Sequence, residues 1–130
     1  MRTMEEKIIT RSSEIWLDEE GILRVLAKDG AEIDLEEAKA CFRAYRKLGL
    51  GAGWKTLQLL DAGAGVVITP EARDYVSKHG KAYFTASAVV SKSLAVRLVI
   101  NFFNSFYKQD VPLRMFSTEE EALAWLRKFR

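Results

Sequence analysis

One cysteine, Cys41, and one histidine, His79, are all that a chain of 130 residues holds of those two types. A single thiol excludes an internal disulfide. The pair excludes a structural zinc site built from four Cys and His ligands, and a His-Glu-x-x-His helix. Proline is scarce as well, with two residues, and no Pro/Gly/Ser-rich stretch divides the chain. The expectation is therefore one domain over residues 1–130, with 1–12 as a flexible N-terminal arm. Long hydrophobic runs are missing too. The greasiest stretch, Phe84 to Phe106, is interrupted by Lys92, Arg97, Asn101 and Asn104, and the first residues lack the apolar core of a signal peptide. No transmembrane segment is expected, and the chain is placed in the cytoplasm with peripheral membrane contact left open. Charge of one sign is also lacking. Twenty Lys+Arg face eighteen Asp+Glu, a formal +2, and no basic-aromatic interleaving occurs, so nucleic acid is set aside as a partner.

What is present is apolar surface: 48% of residues are hydrophobic and 11% aromatic. At this length folding buries roughly two thirds of the surface the unfolded chain exposes, enough for a core without a disulfide or a metal. Glu14 to Leu17 and Ile22 to Lys28 are short apolar runs joined by Asp18-Glu19-Glu20-Gly21, which reads as an antiparallel hairpin. Asp29-Gly30 turns the chain into a brief extended piece ending at Ile33. Asp34 then stands three residues before Glu37 in capping-box register. From Leu35 the positions Ala38, Cys41, Phe42, Tyr45 and Leu48 recur at spacings of three and four, the stripe of an amphipathic helix that Gly49 ends. Trp54 to Leu60 reads as a buried strand ending at Asp61. Thr69-Pro70-Glu71 places a hydroxyl at the N-cap and a proline at N1 of a short helix that Gly80 stops.

Phe84 to Val90 is a second inner strand. Ser91 or Ser93 opens the longest helix, to about Gln109, followed by a short strand from Val111 to Phe116 and a closing helix capped by Ser117-Thr118 with Glu120-Glu121. In the longest helix Leu94 to Tyr107 is apolar over well over half of its circumference, leaving a polar stripe of Ser93, Arg97, Asn101, Asn104 and Lys108. Either its flanking helices bury it on three sides, or Val96, Val99, Phe103 and Tyr107 face a second subunit or a ligand. Helices alternating with strands require crossovers, hence parallel pairing. The expected class is α/β: a mixed five-stranded sheet, an N-terminal antiparallel hairpin and a mostly parallel remainder, with four helices.

A hairpin, then alternating helices and strands, with an inner strand ending Leu59-Leu60-Asp61 and a close of Leu113-Arg114-Met115-Phe116 and Glu121-Ala122-Leu123-Ala124-Trp125-Leu126, resembles the STAS group. More narrowly, it is similar to the small bacterial SpoIIAA-like branch grouped with Sec14-type lipid-binding domains. The resemblance spans roughly Ser13 to Phe129. It implies a non-enzymatic regulatory or ligand-binding module: an anti-sigma-factor antagonist switched by Ser/Thr phosphorylation, or a nucleotide-, lipid- or transporter-associated regulator. The group's Asp-Ser-Ser-Gly switch motif is absent. Ala62-Gly63-Ala64-Gly65-Val66-Val67-Ile68 follows Asp61, and Thr69 is the hydroxyl that stands at the next helix start.

In such sheets ligands and partners gather where strands end and helices begin. That nominates Asp61, Thr69, Ser91 and Lys92, with Arg97, Val99 and Phe103 on the long helix. Each has a plain alternative: Asp61 accepting loop N–H groups, Thr69 as an N-cap, the cations on a solvated face. Charge is uneven, with ten Lys+Arg against twelve Asp+Glu in 1–65 and ten against six in 66–130. No catalytic constellation, metal or cofactor is expected. The leading expectation is a regulatory domain acting through a protein partner or homodimerisation by the third helix. The alternative is a module for a hydrophobic small molecule or lipid whose anionic head is held by Lys92 or Arg97.

Overall fold

The computed structural model describes residues 6–93, 95, 98 and 110–130. Chain order is β1 (Ile8–Ile9), β2 (Ser13–Leu17), β3 (Leu23–Ala27), β4 (Ala31–Ile33), α1 (Leu35–Lys47), β5 (Thr56–Gly63), β6 (Val66–Ile68), α2 (Pro70–His79), β7 (Phe84–Ser91), β8 (Leu113–Phe116) and α3 (Glu119–Leu126). The main sheet runs β1-β2-β3-β5-β7-β8. The β2–β3 hairpin is antiparallel, and β3–β5, β5–β7 and β7–β8 are parallel. The α/β class and the mixed pairing are those expected.

The strand count is not. Ile8 and Ile9 pair antiparallel with Ile15 and Glu14, so the expected flexible arm supplies a sixth, edge strand. Val66–Ile68, to which the sequence pattern assigns no element, pairs in parallel with β4 as a separate two-stranded ribbon. Both strands escape the sequence for one reason: two- and three-residue strands are too short to show a period, and only a partner elsewhere in the chain makes them strands. Three helices of at least two turns lie among the described residues instead of four. The third predicted helix, 94–109, falls outside them except Ala95 and Leu98, which are helical and exposed.

Local chemistry explains the rest. Asp18 Oδ1 accepts from the Glu20 and Ile22 amides at 2.9 and 3.0 Å, and Gly21 takes φ 80°, closing the hairpin. Asp34 caps α1, accepting from Glu37 N at 2.9 Å. Thr69 caps α2 through Ala72 N at 3.3 Å and Thr118 caps α3 through Glu121 N at 3.3 Å, as the sequence signals imply. Alternation along β5 divides the molecule. Leu57 and Leu59 face α3, against Ala86, Ala88, Ala122 and Leu126. On the opposite face of the sheet α1 covers the hairpin, where Ile15, Leu23, Val25, Cys41, Phe42 and Tyr45 form the larger core.

Candidate ligand-binding site

On the α1 side the sheet does not meet its helices everywhere. Small side chains stand opposite one another there: Ser13 on β2, Ala27 on β3, Ala62 on β5 and Ser87 on β7, beneath Ala38 of α1. The ribbon and α2 contribute Ile33, Val66, Ile68 and Val76. The space left is a cavity of about 210 Å³, whose lining is predominantly apolar. Close-packed interiors rarely leave a void much larger than a water molecule, so an opening of this size is a feature of the fold.

A polar ladder crosses this apolar space. The β5–β7 register sets Gln58 beside Ser87. Ser87 Oγ donates to Gln58 Oε1 at 2.8 Å, and Gln58 Nε2 donates to the Tyr45 hydroxyl at 3.4 Å. All three residues line the cavity. Burial pushes the Tyr45 phenol well above its usual range, so it stays protonated. The ladder is thus a fixed, neutral hydrogen-bonding strip on a greasy wall.

Behind Cys41, another lining residue, sits a buried carboxylate. Glu37 was read as the second half of a capping box, but its side chain turns inward and is 4% exposed. Its Oε2 accepts from Thr10 Oγ1 at 2.6 Å, Ser12 Oγ at 2.5 Å and Ser12 N at 3.0 Å. Arg11 Nε lies 3.9 Å from Oε1. Burial alone pushes this carboxyl up; the donors of Ser12 and Thr10, with Arg11, outweigh it and hold the group below its usual value. Cys41 Sγ is 3.9 Å from Oε2. Burial, and then the Glu37 charge, push the thiol up to about 12. It is a neutral packed thiol with little nucleophilic character at neutral pH.

The candidates nominated at strand ends sit elsewhere. Asp61 Oδ1 accepts from Gly63 N at 3.0 Å, and Ser91 Oγ donates to Gly63 O at 2.8 Å while accepting from Ser93 N at 3.0 Å. The structure therefore brings Asp61 and Ser91 together around Gly63, each engaged in shaping the loop. Thr69 is the α2 cap and Lys92 is exposed. These four do not line the cavity. Arg97, Val99 and Phe103 lie outside the described residues. The ladder was missed because Tyr45 fits the apolar stripe of its helix. The available signal was a polar residue at an inward position of a buried run, Gln58 between Leu57 and Leu59 and Ser87 between Ala86 and Ala88.

Among the described residues no helix is long and apolar enough to cross a membrane. The family described as a domain of unknown function, DUF7793, matches residues 15–130. A crystal structure of an uncharacterised protein of the DUF3478 family with a SpoIIAA-like fold, from Shewanella loihica PV-4, is similar over 95% of this chain and 92% of that one, with a TM-score of 0.58 at 17% identity. The fold is SpoIIAA-like, as the sequence resemblance implied. Among curated proteins none matches the chain.

Proposed function

We propose that this chain, which belongs to the DUF7793 family, is a non-enzymatic regulatory module whose state is set by a small apolar molecule in the cavity between the main sheet and α1. The observation that carries this reading is the polar ladder Tyr45–Gln58–Ser87 inside an apolar space of about 210 Å³. Ligand sites combine those two properties: apolar walls supply affinity and a few fixed polar groups supply orientation. The neutral Cys41 thiol and the carboxylate of Glu37, surrounded by its donors, suit binding better than bond making.

A small-molecule extract of cells, incubated with the purified protein, should give a bound mass by native mass spectrometry and a raised melting temperature. At a hundredfold excess over Kd the stabilisation is about 2.7 kcal/mol. Ala38→Leu, which adds bulk on the helix side of the cavity at a position 1% exposed, should keep the fold and lose both signals. Absence of any bound mass or shift with the native chain contradicts the proposal.

A second reading, a protein partner or homodimerisation through the segment after β7, is favoured by one observation: Leu98 is helical and 59% exposed. Sedimentation should then show a dimer at high micromolar concentration that Leu98→Glu weakens. A strict monomer counts against it.

A further inference from the structure

We infer that the cavity selects a compact, uncharged ligand bearing a hydrogen-bond acceptor such as a ketone, ester or amide carbonyl, and rejects carboxylates and phosphates of the same length. The inference rests on the cavity being a ligand site, and it follows from how the ladder is spent and where the charges lie. Ser87 donates to the carbonyl of Gln58, and the amide of Gln58 donates to Tyr45. The Tyr45 hydroxyl, used as an acceptor, keeps its own hydrogen to give. An acceptor atom of a ligand completes the ladder there, whereas a pure hydrocarbon leaves that hydrogen without an incoming partner.

The surrounding charge disfavours an anion. The described lining residues include no Lys, Arg or His; the one ionisable carboxyl among them is Asp110, exposed and 3.6 Å from Lys81. Glu37 adds a buried negative charge one contact behind Cys41. An anionic head in this space would lose its water and have two carboxylates nearby, with no cation among the described lining residues to pair it. A cationic head gains little either, since Glu37 is already held by Thr10, Ser12 and Arg11 and Asp110 by Lys81. The head group is therefore neutral. An engineered cavity of about 150 Å³ takes benzene, so this one suits a ligand of about eight to ten heavy atoms. Of the two cations expected to hold an anionic head, Lys92 is exposed and not among the lining residues, and Arg97 lies outside the described residues.

The test is a matched series of octane, 2-octanone, octanoate and octylamine, titrated into the full chain at neutral pH with binding read by methyl and amide chemical shifts. 2-Octanone should bind at least about tenfold more tightly than octanoate and octylamine. Tyr45→Phe should lower the 2-octanone affinity by about tenfold, the value of one hydrogen bond, and leave octane affinity unchanged. Ser87→Ala, which loosens the ladder without touching the ring, serves as the second variant and should weaken 2-octanone in the same direction. Equal or tighter binding of octanoate or octylamine overturns the head-group inference and leaves the cavity a ligand site. No binding by any of the four, with the Ala38→Leu chain behaving identically to the native one, overturns the underlying reading as well.

Discussion

The two faces of one strand pair have opposite fates. Toward α3, β5 and β7 present Leu57, Leu59, Ala86 and Ala88, and Ala122 and Leu126 come down on them so closely that most of this group is fully buried. Toward α1, the residues between those, Gln58, Leu60, Ser87 and Val89, border open space. Alanine is small on both faces. The difference is local: α3 sets Leu126 against the sheet, whereas α1, beside Phe42 and Tyr45, lines the space with the small Ala38, and the sheet lines it with Ala62. The contrast teaches that the cavity lies where small residues of helix and sheet, Ala38 with Ser13, Ala27, Ala62 and Ser87, share one face, while the opposite face is well packed.

That contrast can be broken from the packed side first. Leu126→Ala should cost about 2–5 kcal/mol, because it leaves a hole where nothing can collapse inward, and ligand binding on the far face should persist in the folded fraction. Urea unfolding measures the first and shift titration the second. A cost below 1 kcal/mol would mean that α3 is not the anchor.

The next effect lies behind the cavity wall. Glu37→Ala strands the donors of Thr10 and Ser12 and should cost about 2–3 kcal/mol in the same measurement. Its acid dependence sharpens the point. The folded-state pKa of Glu37 lies below its usual 4.5. The stabilisation is therefore complete above that pH and is lost as pH falls through the folded value. The stability gap between the native chain and Glu37→Gln should accordingly shrink below pH 4.5, and a gap independent of pH would contradict the assigned shift. The smallest change is Thr69→Ala, which uncaps the helix over the ribbon side of the cavity and should cost about 1 kcal/mol by thermal unfolding. A neutral substitution there would mean that the hydroxyl does not cap in solution.

Much of the frame was legible because its signals are local. Asp18 to Gly21, Asp34, Thr69-Pro70 and Thr118 announce turns and caps within four residues of where they act, and the parallel pairing follows from the crossovers. The site was less legible. Tyr45 reads as stripe, Gln58 and Ser87 as oddities in greasy strands, and Glu37 as a capping partner. What joins the first three is a register between β5 and β7 and the angle of α1, neither of which is written locally. Ile8–Ile9 and Val66–Ile68 became strands for the same non-local reason.

The most direct test of the central claim sets sequence neighbours against each other across the sheet. In a methyl and amide shift titration with 2-octanone, Leu60 and Val89 should move strongly and saturate together with Tyr45 and Val25, while Leu59 and Ala88, one residue away on the α3 face, move little. Shifts of equal size on both faces, or shifts confined to the surface around Leu98, would contradict a ligand cavity under α1.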